Sequence, residues 1–183
     1  MSKNGLILLT PTSVNKTGGS STATISANGS VSFGLCETLR LNGVFSADYD
    51  NYMVVIWIIT SANGYALRAR FSSSGVDNST ANSYVRQYLD VNNTSVQGGR
   101  SLLDYFSFVV GANALTSGSV VHFYGPHLAQ PTAMREVSAA GYANAYIDDF
   151  AHTHNQSTAY DGFSFYTYTG TVSGRVAVYG MRK

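Results

Sequence analysis

The sequence predicts an all-β protein: an antiparallel β-sandwich of jelly-roll type, with an N-terminal arm and hairpin. Runs rich in β-branched and aromatic residues recur along the chain, the strongest at residues 52–59, YMVVIWII. Such runs favour strands buried on at least one face. Asn28-Gly29, Asn42-Gly43 and Asn63-Gly64 fall between such runs, and Asn-Gly supplies the positive φ values that tight hairpins need. No window sustains the 3.6-residue period of an amphipathic helix.

Taken in order, Leu6, Ile7, Leu8 and Leu9 form a short apolar strand, and residues 14–21, VNKTGGSS, read as a flexible connector. Residues 1–21 are therefore expected to form an anchoring arm and linker, and 22–183 the sandwich. The sandwich opens on a hairpin within 22–35, its arms alternating around Asn28-Gly29. Further strands are predicted at 52–59, 65–71, 83–91, 102–110, 119–124, 142–150, 163–168 and 175–181, separated by Gly, Asn, Asp and Ser. The one candidate helix is short, at 132–140, and a kinked strand is the alternative there. Trp57 lies mid-strand in VVIWII and is expected in the core.

Charged residues make up 11% of the 183-residue chain, well below the usual quarter. A net charge of +1 offers no electrostatic reason for a nucleic-acid partner, and the apolar run at 6–9 is too short to span a membrane. Cys36 is the single cysteine, so an intrachain disulfide is excluded. Six N-x-Ser/Thr sequons, at Asn15, Asn28, Asn78, Asn92, Asn93 and Asn155, read as a by-product of Asn/Ser/Thr richness. Tyr105, Tyr124, Tyr142, Tyr146, Tyr160, Tyr166 and Tyr168 are too many for one small core. Subunit interfaces and ordinary cross-strand pairing are the two places for them.

Catalytic signatures are weak. The G-x-S-x-G elbow is missing, and Glu37 beside Cys36 is a poor setting for a thiolate. Ten acidic residues, several in turn contexts, give little material for a glycosidase pair. His152 and His154 would share one face of a strand below Asp148 and Asp149, but the spacing matches no zinc motif, and a loop tip with local hydrogen bonds is the expectation. Asp48, Asp50 and Asn51 offer hard oxygens for calcium, yet they are also the standard material of a turn, and with no EF-hand-like loop the turn is the expectation. No metal and no cofactor is expected. For recognition, surface loops carry function more often than strands do. His152, His154, Asn155, Tyr160 and Asp161 are the candidate recognition loop for a sugar.

The segments GLILLTPTSV (5–14), NGSVSF (28–33), LNGVFSADYDNYMVVI (41–56), THNQSTAYDGFSF (153–165) and GTVSGRVAVYGMRK (170–183) resemble, in that order, a group of small tailed-bacteriophage virion proteins. These are jelly-roll modules found as head decoration, minor tail and fibre-tip proteins. The resemblance implies a non-enzymatic structural or adhesive protein, usually a homotrimer, on the outer surface of the particle and made in the host cytoplasm. The DYDNY stretch would end the loop leading into a core strand. The expected role is a capsid decoration (cement) protein bound to the major capsid protein, with Leu6, Ile7, Leu8 and Leu9 as anchors that add a strand to a neighbour. The alternative is a minor tail or fibre-tip protein that binds a host glycan.

Overall fold

The computed structural model describes residues 5–61, 65–111, 115–141 and 146–181. Among these residues every regular element is a strand. The chain begins with β1 (Leu6–Leu9), β2 (Ser13–Thr17), β3 (Thr22–Ile25), β4 (Val31–Cys36) and β5 (Thr38–Asn42). It continues through β6 (Asn51–Thr60), β7 (Tyr65–Ser73), β8 (Val76–Asp77), β9 (Tyr84–Asn92), β10 (Ser95–Leu103) and β11 (Phe106–Gly111). The last are β12 (Ser117–Tyr124), β13 (Thr132–Ala140), β14 (Tyr146–His154), β15 (Gly162–Tyr166) and β16 (Val172–Met181).

Two antiparallel sheets pack face to face, as the sequence predicts. The larger runs β10-β9-β14-β13-β12-β6-β16-β4-β3, with β1 also on β16; the smaller runs β11-β7-β15-β5-β2, with β8 on β7. Between them lies an aromatic core. Phe45 packs on Phe163 with centroids 5.8 Å apart, and Phe108 on Phe165 at 5.4 Å. Alternation sets which side chains enter: Tyr52, Val54, Ile56 and Ile58 of β6 are buried because successive side chains on a strand point to opposite faces. The loop before β6 is fastened from inside. Ser46 N donates to the Tyr52 hydroxyl at 2.8 Å, and that hydroxyl donates to Ser46 O at 2.8 Å.

Several expectations need correction. Of the connector expected at 14–21, residues 14–17 are part of strand β2, paired with β5 from Ser13↔Asn42 to Thr17↔Thr38. β1 pairs with β16 of its own chain, Leu6 opposite Met181 and Leu9 opposite Val178. Strand pairing therefore runs across the boundary expected at residue 21. Residues 132–140 are a strand with alternating burial, because neighbours on both sides complete its hydrogen bonds whatever its helix propensity. The predicted strand 102–110 divides at Asp104 and Tyr105 into the end of β10 and the start of β11. β10 was obscured by its Gly98-Gly99 pair, yet it holds nine-residue register with β9. Trp57 is 47% exposed rather than core, since it lies on the odd-numbered, outward side of β6. The Asn63-Gly64 turn and Tyr142 lie outside the described residues.

Candidate functional site

The residues expected to form a surface recognition loop divide between interior and surface. His152 and His154 are on β14, not in a loop, with exposures of 3% and 1%, and Tyr160 is 1% exposed. Asn155 is exposed and Asp161 half-buried. The residues from 146 to 154 alternate, placing Asp148, Phe150, His152 and His154 together on the inner face.

His154, Tyr160, Asn78, Tyr84 and Ser83 close one end of the sandwich as a hydrogen-bonded chain. His154 Nδ1 lies 3.2 Å from Ser83 O and therefore donates, since a carbonyl only accepts. Nε2 then accepts from the Tyr160 hydroxyl at 2.6 Å, and that oxygen accepts from Asn78 Nδ2 at 2.8 Å. The Tyr84 ring stacks on the imidazole at 4.0 Å, and its hydroxyl donates to Asn78 O at 3.0 Å. Burial lowers the His154 pKa to about 4, keeping the ring neutral as the chain requires. Above this network opens a cleft of about 430 Å³ lined by Ser73, Val76, Asp77, Asn78, Thr80 and Thr158, with Tyr160 beneath. Asp77 is held at its rim by Arg40 at 3.0 Å and by the Ser164 hydroxyl at 2.8 Å.

Farther along the inner face, polar groups replace apolar ones. Ser119 Oγ donates to Glu136 Oε1 at 2.6 Å, and Glu136 is fully buried. Burial raises the Glu136 pKa to about 8. Burial, with Asp90 adding repulsion, raises Asp148 to about 7. Asp148 lies opposite Ser138 on β13 and Asp90 on β9. His152 has neither ring nitrogen bonded, and burial, then Arg86, lowers its pKa to about 3. Among the described residues no group of three His, Cys, Asp or Glu side chains is arranged to hold a metal ion. Asp48 serves the turn before β6, exchanging contacts with Ser46.

The outer face of the same sheet is the reverse. Val55, Trp57 and Ile59 on β6, Val120 on β12, Val137 on β13, Ile147 on β14, Leu89 on β9 and Val96 on β10 are all exposed. The register aligns them in rows: Val55–Val120–Val137 across three strands, and Trp57–Gly118–Ala139–Ile147–Val91–Val96 across six. Arg135 and Asp149 on this face pair with each other at 2.5 Å. A one-sided antiparallel sheet normally turns apolar residues inward and polar residues outward. At one end of β12–β14 this is reversed, with Ser117, Ser119, Glu136, Ser138 and Asp148 facing in and Val120, Val137 and Ile147 facing out. Val121, Phe123, Met134 and Phe150 keep the usual pattern farther along. Sequence reasoning missed the surface. The available signal was the alternation in residues 136–139, where Glu136 and Ser138 share one parity and Val137 and Ala139 the other.

The fold defines the chain as a two-sheet antiparallel β-sandwich. No family model matches it, and no curated protein does. Among solved structures it is similar to domain 4 of AbnA, a GH43 extracellular arabinanase from Geobacillus stearothermophilus, solved with arabinotriose. Identity there is 10% over 93% of this chain and 82% of that one, with a TM-score of 0.33. A protein of unknown function from Shewanella oneidensis MR-1, SO2946, is 13% identical over 96% and 79% of the two chains, with a TM-score of 0.26. The binding domain of botulinum neurotoxin serotype G is 10% identical over 100% of this chain and 45% of that one, with a TM-score of 0.19. Similarity at this level assigns no activity or ligand to the chain.

Proposed function

We propose that the chain is a structural, non-enzymatic protein of a tailed-phage particle. Its role is that of a head decoration protein that docks through the outer face of the larger sheet and stabilises the capsid lattice. The observation that carries this reading is the exposed apolar outer face of the larger sheet, most marked where polarity is reversed around Val120, Val137 and Ile147. Exposed Val, Ile, Leu and Trp in register, over a buried layer of Ser, Glu and Asp, describe a face whose apolar side chains are covered in an assembly. The longer row crosses six strands, about 24 Å of sheet at the usual ~4.8 Å spacing. The resemblance of residues 5–14, 28–33, 41–56, 153–165 and 170–183 to phage virion modules suggests the setting, and a homotrimer on local three-fold positions is the assembly proposed. A protein that binds only the assembled lattice stabilises it by mass action.

The test is immunogold labelling of intact particles together with add-back to particles lacking the protein. Wild type is expected to label heads regularly and to raise their thermal stability. Val120→Lys/Val137→Lys is expected to fold normally and to lose both effects. Labelling confined to the tail tip would overturn the decoration reading. It would favour the second one, a tail protein that grips a host glycan in the cleft bordered by Asp77, Asn78, Thr80 and Thr158.

A further inference from the structure

The outer face of the smaller sheet carries three arginines whose charges are handled differently. Arg68 and Arg70 share the outward side of β7, and the register sets Arg70 beside Ser164 on β15, and Ser164 beside Arg40 on β5. Arg40 pairs with Asp77 at 3.0 Å. Arg70 pairs with the Asp104 carboxylate, and the main-chain oxygen of Asp104 accepts from Arg70 Nε at 2.9 Å. Arg68 has no carboxylate partner among the described residues. Its guanidinium carbon instead lies 4.4 Å from the Tyr105 ring centroid and 4.5 Å from that of Tyr168. Tyr105 comes from the lead into β11 and Tyr168 from the exit of β15, the strands flanking β7 on either side.

Aromatic rings interact with the faces of a guanidinium, whereas its N–H donors all lie in the plane and leave through the edge. Arg68 is thus a half-buried cation that is held in place, with its donor edge uncommitted to any acid. A group with two oxygens in one plane, a carboxylate above all, matches two parallel N–H bonds of that edge. Because the rings already restrain the side chain, binding costs little further freedom. Tyr166 stands opposite Arg68 in the register and its ring lies 5.1 Å from the Arg70 guanidinium, so three tyrosines border the patch. β7 is internal to its sheet, between β11 and β15, and offers no free edge along which a peptide could add as a strand. Rings and a fixed cation on a flat face suit a sugar better than a peptide.

We infer that Arg68, held between Tyr105 and Tyr168, is the carboxylate-binding centre of a site for an acidic saccharide. A uronate carboxylate bonds the guanidinium edge, and the tyrosine rings border the pyranose. The inference stands apart from the decoration reading, since it uses the opposite sheet and requires neither head nor tail placement.

The test is calorimetric titration of the full chain with tetragalacturonate and with its methyl ester, at low and physiological salt. Wild type is expected to bind the acid, more weakly as salt rises, and to bind the ester at least roughly tenfold less tightly. Arg68→Gln is expected to bring the acid down to the affinity of the ester. Arg68→Lys, which keeps the charge but loses the fork, should fall between them, and Arg100→Gln on the other sheet should match wild type. Circular dichroism checks the fold of each variant. If Arg68→Gln does not fold, the Arg68 Nε–H resonance of wild type must shift during the titration. No binding by wild type, equal affinity for acid and ester, unchanged affinity in Arg68→Gln, or a static Arg68 resonance would each overturn the site. Preference for inorganic phosphate or for a Glu-rich peptide over the saccharide would overturn the ligand class.

Discussion

Tyr160 shows how one side chain changes meaning between sequence and structure. As a tyrosine in a polar segment it reads as a surface ligand contact; in the fold it is a buried relay between Asn78 and His154. Its hydroxyl donates to an imidazole that burial keeps neutral, so removing the oxygen strands His154 Nε2 and frees one Asn78 donor. Tyr160→Phe is expected to lower stability by about 1–3 kcal/mol, the range for leaving a buried polar group unpaired. Urea denaturation followed by circular dichroism measures this, and an unchanged midpoint would mean that the chain of hydrogen bonds contributes little. His152 is the opposite case. It sits 6.1 Å from the rings of both Phe106 and Phe150 with no polar partner, a buried imidazole where a phenyl ring would be at home.

At the scale of elements, β13 and β14 carry the buried acids, and these give stability a defined dependence on pH. Glu136 and Asp148 have folded pKa values raised to about 8 and about 7. The folded state therefore holds protons that the unfolded chain has released. Their contribution is fully present below the unfolded carboxyl range, near 4, and is lost as pH rises through 7 and 8. The histidines on β14 act at the other end. With folded values near 3 and 4, their contribution is present above the unfolded value near 6.5 and is lost as pH falls toward 3. Thermal unfolding from pH 5 to 9 is expected to show a falling midpoint on the alkaline side, and Glu136→Gln should flatten it. An equally steep fall in that variant would assign the alkaline loss to other groups. The sequence could not supply this layer. The parity of β13 is visible, but which parity faces inward depends on where Ser119 and Asp148 lie across the sheet.

At the scale of the molecule, the N-terminal strands belong to the sandwich. β1 continues the larger sheet along β16 and β2 closes an edge of the smaller one on β5, with Leu9 and Val14 packed against the core. A chain starting at Ser20 loses both pairings and uncovers core residues beneath them. It is expected to unfold at markedly lower temperature than the full chain, or to aggregate through the exposed strand edges. Scanning calorimetry and light scattering decide the matter, and wild-type stability in the shortened chain would show that the two strands are dispensable.

Sequence alone determined that the chain is an all-β antiparallel sandwich, because alternation and turn chemistry are local properties written in residues 22–33, 52–59 and 175–181. It also located most strands to within a few residues, and it favoured a turn role for Asp48. It left open which of two parities faces inward, so Trp57 was expected inside and the His152–His154 pair outside. That choice is made by neighbours distant in sequence: a sheet face is buried or exposed according to what packs on it, and β11 of the smaller sheet covers the inner face of β13 and β14. The clamping of Arg68 by Tyr105 and Tyr168 likewise came only from tertiary structure, since its rings arrive from segments beside two other strands, 37 and 100 residues further along the chain.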